Sequence, residues 1–333
     1  MTTQSSLRLA LLASTTTLAL TALPALADVP AVVTDIPATG ALVQQVLGDL
    51  GSPSVLMETG GDPHHYQLRP SQAARLQDAG LLIWIGPELA PWLVRPAESL
   101  AKDRSLLLLT QPGTALRIYA GDGDEDENEA PEGEGHDGHG HAESQDHANE
   151  AGHEEGHDHT GTDPHAWLDP DNGQVWLKTI AEALAARDPD HAATYRDNAQ
   201  AGAAKLAALD GELQAELAPA KGKPFVVFHN AYGYFTDHYG LEPAIAVSLG
   251  DASTPSAARL KEIQAQIKTS GARCAFPEAN HDPKLLRIVT EGTDAQPGPV
   301  LDPEGTAESK GADLYAAILR NIAGAISSCL NKS

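Results

Sequence analysis

Seven histidines, His136, His139, His141, His147, His153, His157 and His159, are interleaved with carboxylates inside residues 122–159, a stretch with no Lys or Arg. Imidazole is a borderline ligand suited to zinc, copper and nickel, and adjacent carboxylates add attraction for a cation. The stretch has too little apolar surface to offset the entropy of ordering it, so residues 121–162 are expected to form a mobile loop and a weak auxiliary metal site. Taken alone, it reads also as a solvated acidic linker. Four other segments offer donors in sequence of ordinary apolar content: residues 60–66 with His64 and His65, residues 163–170 with His165, residues 228–233 with His229, and residues 300–305 with Asp302. Three imidazoles and one carboxylate could fill a tetrahedral site of the kind Zn²⁺ takes. A lone His is more often structural than a ligand, and the sequence alone does not show that these segments converge.

The elements that would position these donors alternate. Residues 31–36, 54–57, 81–85 and 106–109 are short apolar runs with strand character, and amphipathic stretches at 41–50, 71–78, 91–100 and 171–187 read as helices, with Ser71 as an N-cap. The second half repeats the alternation: strands at 225–228, 244–247, 272–276 and 300–301, helices at 257–268, 283–291 and 312–330. Between the halves, residues 189–219 keep apolar positions at helical spacing, Tyr195, Leu206, Leu209, Leu213 and Leu217. As one helix they would be about 40 Å long, a natural strut between two units. The expected class is α/β: two similar lobes, each a mostly parallel sheet flanked by helices, joined by one long interlobe helix. The expected division is a signal peptide at 1–27, an N-terminal lobe at 28–188, the linking helix at 189–219 and a C-terminal lobe at 220–333. Ligands of open α/β sheets sit beyond the carboxyl ends of the strands, which places a binding site in the cleft between the lobes.

Charge and cysteines narrow the class. Of the formal net charge of −24, fifteen acidic residues lie between Asp122 and Asp158, leaving a moderately acidic remainder. That argues against nucleic acid or an anionic membrane as partner. Arg8, the apolar residues 9–23 and the small-x-small Ala25-Leu26-Ala27 before Asp28 read as a signal peptide, so the mature chain is expected in the periplasm without stable membrane insertion. In an oxidising compartment Cys274 and Cys329 can form a disulfide, and two buried free thiols are the alternative.

Residues 63–71 (PHHYQLRPS), 163–170 (DPHAWLDP), 228–235 (FHNAYGYF) and 301–305 (LDPEG) resemble, in order and at family spacing, the periplasmic metal-binding proteins of ABC importers, and most closely their zinc-specific, ZnuA-like members. The resemblance spans almost the whole mature chain, including the His-rich insertion and the long helix. It implies that His64, His165, His229 and Asp302 are the ligands, that Zn²⁺ is bound as cargo and that the partners are a membrane permease and its ATPase. It also implies a disulfide between Cys274 and Cys329, and lobes that close only modestly. Manganese-specific relatives carry Glu where this chain has His229, and a third imidazole favours Zn²⁺ over the harder Mn²⁺. Asp169 could orient His165, and Glu278 could either accept the second N–H of a ligand or pair with a base such as Arg69. The expected protein is a monomeric capture protein and not an enzyme. A manganese carrier or adhesin of the same family and a zinc hydrolase are the alternatives, and the chain has no His-Glu-x-x-His signature for the last.

Overall fold

The computed structural model describes residues 29–119, 161–250, 252–307 and 311–332. The proposed signal peptide with its cleavage point and all seven histidines of the acidic stretch lie outside these residues.

The first sheet has the order β2-β1-β3-β4, built from β1 (Val32–Thr34), β2 (Ser54–Val55), β3 (Leu81–Trp84) and β4 (Ser105–Leu107). All its pairings are parallel, with Val33 opposite Ser54 and Leu82, so each strand end points the same way. Helices α1 (Pro37–Leu47), α2 (Pro70–Asp78) and α3 (Val94–Leu100) make the crossovers. Parallel strands covered on both faces must be apolar throughout, and β3 (Leu-Leu-Ile-Trp) is buried at every position. Helix α2 begins at Pro70, where a missing N–H costs nothing, and the Gln72 side chain accepts the Arg69 N–H (2.6 Å). Ser71 is therefore inside the helix and is not its cap.

The second sheet repeats the topology as β6-β5-β7-β8, from β5 (Phe225–His229), β6 (Ile245–Ser248), β7 (Cys274–Phe276) and β8 (Gln296–Pro297). Two expectations fail here. The edge strand is β8, and residues 300–301 supply only an isolated bridge between Leu301 and Glu278. Sequence periodicity also missed α6 (Gly233–Tyr239), a short helix whose Gly, Tyr, Phe and Thr residues are mostly buried and carry no amphipathic signal. Helices α7 (Ala257–Ser270), α8 (Lys284–Thr290) and α9 (Leu314–Leu330) complete this half.

Helix α4 (Pro170–Ala185) leads into α5 (Ala192–Leu217), the long helix, flanked by 3-10 turns at Pro189–His191 and Ala218–Ala220. It buries Tyr195, Ala199, Gly202, Leu206, Leu209, Leu213 and Leu217 along one stripe and packs on α1, α4 and α9. One apolar cluster therefore runs from Val32 and Ile83 of the first sheet through α5 to Phe225 and Val227 of the second. Lobes that share a core resist hinge motion, since opening them exposes close-packed surface. Cys274 of β7 and Cys329 of α9 form a disulfide with Cα atoms 6.1 Å apart across 55 residues. Such a link stabilises by about 4 kcal/mol on the chain-entropy account.

Candidate metal centre

His229 is the last residue of β5, and its ring lies against those of His64 and His165 from the other lobe. The other two histidines sit on short loops built the same way. In Asp62-Pro63-His64 the Asp62 carboxylate accepts the His64 N–H (2.9 Å), and in Asp163-Pro164-His165 the Asp163 carboxylate accepts the His165 N–H (3.0 Å). Proline fixes one dihedral and the Asp side chain closes the turn, so each loop presents its His in one orientation. Trp92 Nε1 donates to the Pro63 carbonyl (2.7 Å), which holds the first loop down.

The three rings meet in the cleft. Ring centroids are 5.3 Å apart for His64–His165 and His165–His229, and 6.2 Å for His64–His229. His165 and His229 are fully buried and His64 is 8% exposed. The Nε2 atoms of all three are buried without a hydrogen-bond partner, and the three ligand atoms lie within 4.8 Å of one another. Three orphaned imidazole nitrogens pointing at one spot would be costly in an empty core, and they fit a cation that accepts three lone pairs. Tetrahedral bonds of about 2.0 Å need nitrogen separations of roughly 3.3 Å, a small contraction from this arrangement.

The opposite ring nitrogens fix the tautomers. His165 Nδ1 donates to Asp163 Oδ1 (2.8 Å), with the Tyr119 hydroxyl 3.2 Å away. His229 Nδ1 donates to Glu278 Oε2 (2.5 Å), and the Tyr232 hydroxyl donates to Glu278 Oε1 (3.0 Å). Each pairing leaves Nε2 free for metal and raises the donor's basicity. Burial, then the neighbouring His165 and His229, hold His64 well below the usual histidine range; burial also lowers His165. Burial works against charge on His229 too, but the Glu278 carboxylate outweighs it and lifts this residue to about 9. Glu278 is itself held low, because the His229 charge overcomes its burial.

Several sequence expectations need correction. Asp169 does not orient His165. It caps α4 by accepting the Asp171 N–H (2.8 Å) and pairs with His238 (3.1 Å), whereas Asp163 takes the orienting role. The repeated Asp-Pro-His pattern was the signal for that. Glu278 does not pair with Arg69, which pairs with Glu58 (2.6 Å). Asp302, expected as the fourth ligand, turns its carboxylate onto its own loop: its Oδ1 accepts the N–H of Gly305 (3.1 Å) and Thr306 (3.0 Å), and its Oδ2 that of Ala307 (2.8 Å). Its carboxylate closes its own turn. His281 also lies beside the site: it stacks on Phe228 (4.3 Å) next to Glu278.

Asp163→Asn tests the orienting role. An amide turns the wrong atom toward Nδ1 in one of its two rotamers, so zinc affinity should fall about 10- to 100-fold. Competition against a chelator measures it, and an unchanged affinity would remove Asp163 from the site's support.

Two α/β lobes that bring three buried imidazoles together define a cleft-type binding protein for a borderline divalent cation. The chain belongs to the family described as zinc-uptake complex component A, periplasmic, which it matches over residues 32–329. It is 62% identical over 310 residues to the high-affinity zinc uptake system protein ZnuA of Paracoccus denitrificans (strain Pd 1222), covering 93% of this chain and 94% of that one. It is 36% identical over 307 residues to the protein of the same name from Brucella suis biovar 1 (strain 1330), covering 90% and 92%. A crystal structure of ZnuA superposes with a TM-score of 0.70 at 26% identity over 91% of this chain and 99% of that one. The family is that of a transporter's periplasmic solute-binding component, not an enzyme. Among the described residues no helix is long and apolar enough to cross a membrane.

Proposed function

We propose that this chain captures Zn²⁺ in the periplasm and delivers it to the permease of an ABC importer, which an ATPase drives. The observation that carries this reading is the set of three buried, partnerless Nε2 atoms of His64, His165 and His229. Three imidazoles suit Zn²⁺ better than Mn²⁺, which favours more oxygen. No bond is made or broken in the cargo's passage; the protein binds, excludes water and lets go. The signal peptide at 1–27 with cleavage before Asp28, the lobe boundaries at 189 and 219 and a monomeric state complete the reading.

The His- and Asp/Glu-rich residues 122–159 act as a weak collector in this scheme. Support comes from where the segment leaves and rejoins the fold: Ile118 and Thr162 form an antiparallel bridge, and Tyr119 N donates to Gly161 O (3.0 Å), only a few residues before His165. Uptake of radiolabelled zinc by cells whose own carrier is deleted tests the whole. The chain should restore uptake at low zinc, and a variant with His165→Ala and His229→Ala together should not. Removing residues 122–159 should lower the zinc stoichiometry while one tight site persists. Equal uptake from the double variant would contradict the reading.

A further inference from the structure

We infer that Glu304 is the fourth, oxygen donor to the metal. The inference rests on the three-histidine reading above and adds the ligand that completes it.

The loop 301–307 is what its sequence makes it. Asp302 folds its carboxylate back onto three successive N–H groups, and the Thr306 hydroxyl adds a fourth contact (3.2 Å). Gly305 follows at φ +76°, where a side chain would be strained and its Cβ would press on Ile318 Cδ1 at 2.7 Å, so the turn favours glycine. The Pro303 carbonyl accepts Trp167 Nε1–H (2.8 Å) from the other lobe, two residues past His165. These contacts leave one acidic side chain of the loop directed inward. Glu304 is 3% exposed, and its Oε1 lies 4.0 Å from His229 Nε2, the same nitrogen that lacks a partner.

A buried carboxylate is normally paired or bound to a metal. Among the described residues no Lys or Arg makes an ion pair with Glu304; its one ion-pair contact is His229. Asp302 offers the weaker case, since both its oxygens already accept N–H donors and it is more exposed than Glu304. The order of residues agrees. In Asp62-Pro63-His64 and Asp163-Pro164-His165 the aspartate shapes the turn and the residue after proline faces the site, and Asp302-Pro303-Glu304 repeats that order. A tetrahedral edge is roughly 3.3 Å, so Glu304 reaches the metal by a sub-ångström side-chain shift from 4.0 Å.

Loading the full-length, metal-stripped protein with one equivalent of Co²⁺ gives visible bands set by the donor atoms, and zinc competition gives affinity. Glu304→Gln should shift and weaken those bands and lower zinc affinity about 100-fold. Glu304→Asp should recover part of both. Apo-state melting curves matching wild type would show that the variants fold. Unchanged bands and affinity in Glu304→Gln would overturn the inference, as would bands lost in Asp302→Asn but kept in Glu304→Gln. Bands that survive loss of all three histidines would instead overturn the three-histidine site itself.

Discussion

His229→Ala should weaken zinc binding by two to three orders of magnitude and leave only low-affinity sites. The apparent binding free energy of a protein zinc site is about 10–16 kcal/mol, so one of three or four donors carries about 3–4 kcal/mol. This position should sit at the high end. The alanine removes a donor and also leaves Glu278 buried without its closest partner, keeping the residue-229 N–H (3.3 Å), the Tyr232 hydroxyl (3.0 Å) and the more distant His281 (3.8 Å). Competition against chelators of graded affinity measures the loss. Tight binding that survives the substitution would take His229 out of the site and reopen the choice of metal.

Zinc binding near neutral pH should release at least one proton per ion. Glu278 lifts His229 to about 9 against the cost of burial, so below that pH Nε2 holds a proton that zinc must displace, while Nδ1 keeps its own for Glu278. Burial lifts Glu304 to about 8, so it adds up to one more proton if it joins the metal. The sign follows. Affinity falls by about tenfold per pH unit for each proton displaced as pH drops below these values. His64 and His165 are shifted downward, so they steepen the decline only at lower pH, below the ordinary histidine value. Titration calorimetry in buffers of different ionisation enthalpy counts the protons. No proton release together with flat affinity from pH 7 to 9 would mean that His229 is neutral before metal arrives.

The fold was legible because strand and helix alternate with clear periods, and the apolar stripe of α5 is regular enough to read from Tyr195 to Leu217. Short segments with no period were not legible. Helix α6 is buried nearly all round, and β8 is two exposed residues, Gln296 and Pro297, that no propensity favours. At the site, His64, His165 and His229 could be named because the segments that carry them resemble the family's motifs, and the structure brings their three rings together. What the sequence does not contain is direction. Asp163 rather than Asp169 meets His165, and Asp302 turns into its own loop while Glu304 faces His229, because hydrogen bonds within each Asp-Pro turn decide which carboxylate is spent. Those choices depend on where backbone N–H groups fall, which only the folded turn settles.

X-ray absorption at the zinc edge, on full-length protein loaded with half an equivalent of Zn²⁺, tests the central claim most directly. Three imidazole nitrogens and one carboxylate oxygen at about 2.0 Å are expected. A shell with fewer than three imidazoles, or with several more oxygens, would contradict the assignment of His64, His165 and His229 as the set that holds the ion.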